Sequence, residues 1–127
     1  MPDPAVARRT LEALRQRSLA RAADLRRAFD ALVEATEGSN VDDEHDPEGT
    51  TIAFERSQLA AALDRAAAEV AEVDAALDRV AAGTYGRCEV CGAPIPAGRL
   101  TARPTATRCL TCADLGPAAP ATPRTHP

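Results

Sequence analysis

From Ala5 to about Glu37 the chain has no proline or glycine, and apolar residues recur at Leu11, Leu14, Leu25, Ala28 and Leu32. Ser18 and Arg21 fall on the weaker steps of this stripe, while Phe29 and Val33 widen it. Steps of three and four residues mark one face of an α-helix. Gly38, in the run Gly38-Ser39-Asn40, sits where a helix C-terminus favours glycine. A second, cleaner stripe passes through Ile52, Leu59, Leu63, Ala66, Val70, Val73, Leu77 and Val80, interrupted at Arg56. Its spacing is a heptad with apolar a and d positions. Thr50 or Thr51 is the expected cap and Gly83 the expected stop, near Ala82. Residues 1–4, Met-Pro-Asp-Pro, read as a lead-in that cannot extend a helix.

Two long helices, each with one narrow apolar stripe, are expected to fold back on each other as an antiparallel coiled-coil hairpin over residues 5–82. A polar loop at about 38–50 would form its tip. A rise of 1.5 Å per residue makes each arm roughly 45 Å long. Composition supports this mainly α reading. Of the 127 residues, 45% are hydrophobic, but 29 are alanine and only 2% are aromatic. Alanine is the best helix former and contributes little buried area, so a thick enzyme core with a deep pocket is not expected. Small seam residues also let two helix backbones approach closely. A hairpin this thin is marginal alone and is expected to rest on a further unit.

Charge is unevenly placed. The net value is −4, and all 15 basic residues are arginine. Ala5–Glu37 carries seven arginines against five acids, whereas Gly38–Thr50 carries five acids and no base. Those five, Asp42, Asp43, Glu44, Asp46 and Glu48, are the candidate partner-binding tip: their hard oxygens suit Mg²⁺ or the arginines of a partner. The bland reading is a solubilising acidic loop. His45 and His126 are assigned no role. No run approaches the roughly 18 apolar residues that cross a bilayer, and the N-terminus lacks the apolar centre of a signal peptide. A cytoplasmic protein is therefore expected.

The candidate chemistry lies at Cys88-Glu-Val-Cys91 and Cys109-Leu-Thr-Cys112, a C-x2-C-x17-C-x2-C pattern. Two thiolates three residues apart on a tight turn can take adjacent corners of a tetrahedron at about 2.3 Å from a metal. Gly92 suits such a turn. Cys88, Cys91, Cys109 and Cys112 are the expected ligands of one structural zinc, with no coordination position left open. In a reducing compartment metal precedes two disulfides; an iron–sulfur centre uses the same ligands. Metal would substitute for a core in a finger of few large side chains, spanning 83–115. Arg87, Arg99, Arg103 and Arg108 make the finger mildly basic, read as a solvated face. No recognition helix or aromatic platform accompanies them, so direct sequence-specific DNA binding is not expected. Residues 116–127, rich in proline, are expected to be a disordered tail. No Ser/His/Asp set and no glycine-rich phosphate loop occurs, so no catalytic residues are assigned.

The run Gly83-Thr-Tyr-Gly-Arg-Cys-Glu-Val-Cys-Gly92, then Ile95, then Arg99-Leu-Thr-Ala-Arg-Pro104, then Cys109-Leu-Thr-Cys112, resembles the C4-type zinc finger of the DksA/TraR family. The resemblance covers about residues 5–115, specific in the finger and architectural in the first helix. It implies a transcription regulator that binds bacterial RNA polymerase, not promoter DNA. Its coiled coil would enter the secondary channel, and its acidic tip would act near the catalytic magnesium, often together with the alarmone ppGpp. A monomer is expected. Two features depart from the pattern. Asp43-x-x-Asp46 is the nearest match to the family's Asp-x-x-Asp-x-Ala tip, with Glu48 in place of the alanine, and no helix is expected after the finger. The alternative is a zinc-stabilised coiled-coil adaptor for another protein.

Overall fold

The computed structural model describes residues 2–37 and 47–114, apart from the side chains of 47 and 48. Asp42, Asp43, Glu44 and Asp46 of the expected tip, and the tail 116–127, lie outside the described residues. The element order is α1 (Pro4–Glu37), α2 (Pro47–Ala82), α3 (Ala97–Ala102) and α4 (Leu110–Ala113). No strand occurs among the described residues, and the one extended pairing is an isolated bridge between Arg87 and Pro94. No helix is long and apolar enough to cross a membrane.

Both long helices begin on a proline. Pro4 opens α1, where its missing N–H would have had no helical partner and its fixed φ is already helical. Asp3 before it is the cap: its Oδ1 accepts the Ala5 N–H at 2.9 Å, and its carbonyl accepts the Ala7 N–H at 2.9 Å. The lead-in is thus an ordered start. In the same way α2 begins at Pro47, earlier than the expected cap at Thr50 or Thr51, so Glu48 belongs to the helix rather than to the loop. At the other end α2 stops as expected. Gly83 takes φ +78°, and the Thr84 N–H bonds back to the Arg79 carbonyl at 2.9 Å, closing the last turn.

The chain packs as two compact units, Leu11–Ala75 and Met1–Thr10 with Ala76–Pro127. The first is the helical hairpin. Its buried residues are Leu11, Ser18, Ala66 and Val73, of which Leu11 and Val73 are fully enclosed. Every apolar position anticipated on α2 is buried or half-buried, from Ile52 to Val80. On α1 the stripe steps by four from Ser18 to Ala22, then to Leu25 and Phe29. Arg21 and Ala28, which were placed on the stripe, face solvent. A straight helix has 3.6 residues per turn, and a stripe read at 3.5 drifts off it. Arg15 Nε reaches Asp74 Oδ1 at 2.7 Å across the hairpin, with both side chains part-exposed. Arg56, the break in the α2 stripe, lies 5.8 Å from the centre of the Phe29 ring, and Arg26 lies 5.9 Å from it.

The second unit joins the first turns of α1 and the last turns of α2 to the finger. Ala7, Ala76, Val80, Tyr85, Ile95, Leu100 and Ala106 are its buried apolar residues, beside Cys88 and Cys112.

Because Leu11 is fully buried, Leu11→Ala is expected to cost about 2–5 kcal/mol through lost transfer energy and the cavity left behind. Phe54, 63% exposed, should tolerate Phe54→Ala within about 0.5 kcal/mol. Thermal unfolding followed by far-ultraviolet circular dichroism checks both; equal melting temperatures for the two variants would contradict the seam described here.

Candidate metal centre

Two knuckles carry the cysteines. In the first, the Ile95 N–H bonds to the Gly86 carbonyl at 2.7 Å and the Cys88 N–H to Ala93 at 2.8 Å, pairing the chain on either side of the turn. The Gly92 N–H bonds to the Cys88 carbonyl at 3.0 Å, with φ +74° at Gly92. That left-handed conformation costs a residue with a Cβ roughly 1–2 kcal/mol. Gly86 has φ +87° and a further constraint, since a Cβ there would lie 2.9 Å from the Pro2 ring. In the second knuckle Cys109 stands at the N-cap of α4, and Cys112 lies within the helix.

The knuckles are tied to each other by the chain around them. The Glu89 N–H bonds to the Thr107 carbonyl at 2.8 Å. Arg108 Nε pairs with Glu89 Oε1 at 2.9 Å, and Arg99 Nε donates to the Arg108 carbonyl at 2.7 Å. The Tyr85 hydroxyl donates to the Pro104 carbonyl at 2.7 Å. Burial pushes the Tyr85 pKa up, against the opposing charge of Arg79. Arg99, Arg108 and Tyr85 are therefore parts of the site's frame that sequence reasoning did not assign. The signal was indirect: Arg99 and Tyr85 sit inside the matched motif, but only the fold shows which carbonyls they serve.

The four sulfurs, Cys88, Cys91, Cys109 and Cys112, all lie within 4.8 Å of one another. Cys91 Sγ and Cys109 Sγ are 3.8 Å apart. Ligands about 2.3 Å from a tetrahedral zinc lie about 3.8 Å from each other, so this edge has the length zinc requires. A disulfide requires about 2.05 Å, and all four cysteines are free. Backbone amides, that of Cys91 first, pull the Cys88 thiol down to about 6 against the effect of burial. Cys112 is pushed up to about 12, chiefly by its hydrogen bond with Cys109 and then by burial. The cluster thus places a sulfur that ionises readily, Cys88, beside one that resists ionisation, Cys112. This donor set fits one structural zinc. With four protein sulfurs and no open position, its chemistry is to hold the fold rather than to activate a substrate.

A helical hairpin unit and a tetrathiolate finger define a structural-zinc protein. Residues 83–115 match the prokaryotic dksA/traR C4-type zinc finger. The chain thus carries a DksA/TraR C4-type finger, and its resemblance to that family extends through the fold. Transcription factor DksA2 from Pseudomonas aeruginosa superposes with a TM-score of 0.75 at 27% identity, over 91% of this chain and 89% of that one. An RNA polymerase-binding transcription factor DksA from Caulobacter vibrioides is 52% identical over 44 residues, 35% of this chain and 31% of the relative. An uncharacterized protein of Aquifex aeolicus is 47% identical over 47 residues, 37% of this chain and 32% of the relative. The matches span about a third of the length of these curated relatives.

Elemental analysis of reduced protein should give one zinc per chain. Chelation should collapse the finger while part of the helical circular dichroism survives; a full helical signal and unchanged finger resonances without metal would contradict a structural zinc. Arg99→Ala leaves the Arg108 carbonyl without its donor. The expected cost is about 1–3 kcal/mol, read as a lower chelator concentration at half loss of zinc.

Proposed function

We propose that the chain is a transcription regulator that binds RNA polymerase. The observation that carries this reading is the fold: the likeness to a transcription factor runs through nearly the whole chain, hairpin included. The matched finger supports it independently. In this reading the hairpin enters the polymerase secondary channel and presents Asp42, Asp43, Glu44, Asp46 and Glu48 to the catalytic centre. There carboxylates can bind Mg²⁺ or partner arginines. Cys88, Cys91, Cys109 and Cys112 hold the finger in shape through one zinc and take no part in chemistry. The protein acts as a monomer in the cytoplasm, with ppGpp as a joint ligand on the polymerase. An adaptor that docks through its helix flanks is the competing reading.

The two readings separate in one experiment. Immobilised zinc-loaded protein should retain purified core RNA polymerase at low salt. Asp43→Asn with Asp46→Asn should keep most of that retention and abolish the effect on transcription in vitro. No retention of polymerase defeats the proposal. Retention with full transcriptional effect in the double variant defeats the role of the tip, while no retention of polymerase favours the adaptor for another protein.

A further inference from the structure

The chain has two phenylalanines, and each is followed by an acid: Phe29-Asp30 on α1 and Phe54-Glu55 on α2. The first pair is served by the hairpin itself. Arg26, one turn back on the same helix, lies 5.9 Å from the centre of the Phe29 ring, and its Nε reaches Asp30 Oδ1 at 3.3 Å. Arg56 comes to the same ring from α2, at 5.8 Å. A guanidinium suits this double duty, because its face stacks on a ring while its N–H groups serve a carboxylate. Phe29 is accordingly half-buried.

The second pair has the same two groups and no arginine. One turn back from Phe54 stand Thr50 and Thr51, and one turn on stand Ser57 and Gln58, none of them charged. Counting 3.6 residues per turn from the seam residue Ile52, Phe54 points about 200° round the helix, onto the outer face. It is 63% exposed, the most open large hydrophobic side chain among the described residues. Among those residues no cation lies over its ring, and Glu55 makes no ion pair. From Ala28 to Leu63 the sequence holds nine acids and one arginine, Arg56, and Arg56 is turned onto Phe29. A single exposed apolar residue is ordinary. A ring beside an unpaired carboxylate, in a stretch of excess acid, is a receptor for a cation.

We propose that Phe54 and Glu55 form a docking point for an arginine of RNA polymerase, its guanidinium stacked on the ring and paired with the carboxylate, as Arg26 is on Phe29 and Asp30. This rests on the polymerase reading above and adds where affinity resides. The tip carboxylates act on transcription, and the outer face of α2 holds the hairpin to its partner. Charge at this end selects the occupant. A nucleic acid would bring phosphates towards a surplus of carboxylates. A second copy would set the same surplus against itself. A basic protein surface is complementary, and stacking strengthens when binding removes the pair from water.

Equilibrium binding of purified core RNA polymerase to the immobilised zinc-loaded chain tests this. Phe54→Leu keeps apolar bulk and removes the ring face; it should weaken binding about tenfold, as Phe54→Ala should. Phe54→Tyr keeps the face and should bind as the unaltered chain does. Glu55→Gln should weaken binding several-fold and make it less sensitive to salt. Because both groups hold one guanidinium, Phe54→Leu combined with Glu55→Gln should lose less than the product of the two single losses. No binding of the unaltered chain overturns the polymerase reading and the docking point with it. Binding by the unaltered chain that Phe54→Leu leaves intact overturns the docking point alone, as do single losses that simply multiply in the double variant. Self-association of the chain that Phe54→Leu abolishes would assign the ring to a second copy and overturn it equally.

Discussion

Four thiolates around one cation are the constraint on which the finger unit depends. Its buried apolar set contains a single aromatic ring, Tyr85, and three alanines among seven residues. Side chains of that size bury little area, at roughly 25 cal/mol per Å². A structural zinc contributes on the order of 10–16 kcal/mol in zinc-finger peptides, comparable with the entire net stability of an ordinary domain at about 5–15 kcal/mol. The metal term therefore dominates. The polar frame around the cysteines is correspondingly directed at geometry. Arg99, Arg108 and Tyr85 fix the carbonyls and the carboxylate of the loops that carry the sulfurs. They contribute less energy than the ion but set the positions the ion needs.

The hairpin solves the shortage of large side chains differently. Among the described residues of Leu11–Ala75 only Leu11 and Val73 are fully enclosed, so the seam supplies few contacts of full value. Part of the difference comes from the backbone. Alanine-rich helices of 34 and 36 residues start with little opposition from propensity. Asp3 and Pro4 satisfy the beginning of one, and Gly83 closes the end of the other. The Arg15–Asp74 pair adds register across the seam more than energy, because part-exposed ion pairs contribute little.

Much of this was legible in the residues. The heptad on α2 and the two Cys-x-x-Cys pairs state their structure directly, since each depends on local spacing that no distant contact overrides. What was not legible depended on context. Arg21 was read as lying on the α1 stripe, but the partner helix selects Ala22, a choice made by helical drift over several turns. Thr50 and Thr51 are residue types that can cap a helix, yet Pro47 begins it earlier because proline is equally suited to a first turn. Arg99 and Arg108 looked like exposed charge; their Nε atoms turn out to serve the knuckles, and no spacing rule connects an arginine to a carbonyl nine residues away. The acidic tip is legible as charge alone, since its residues 42–46 fall outside the described structure.

The fate of those arginines bears on the kind of partner the finger can take. Phosphate-directed binding scales with the number of cations free to neutralise phosphates. Of the four arginines in the finger, Arg108 is paired with Glu89 and Arg99 is turned onto a carbonyl. Arg87 and Arg103 remain exposed. Two exposed cations are a small electrostatic footprint for a polyanion, and the paired Glu89 reduces the local field further. Two of the finger's four arginines, taken atom by atom, hold its own loops rather than standing as bare charge.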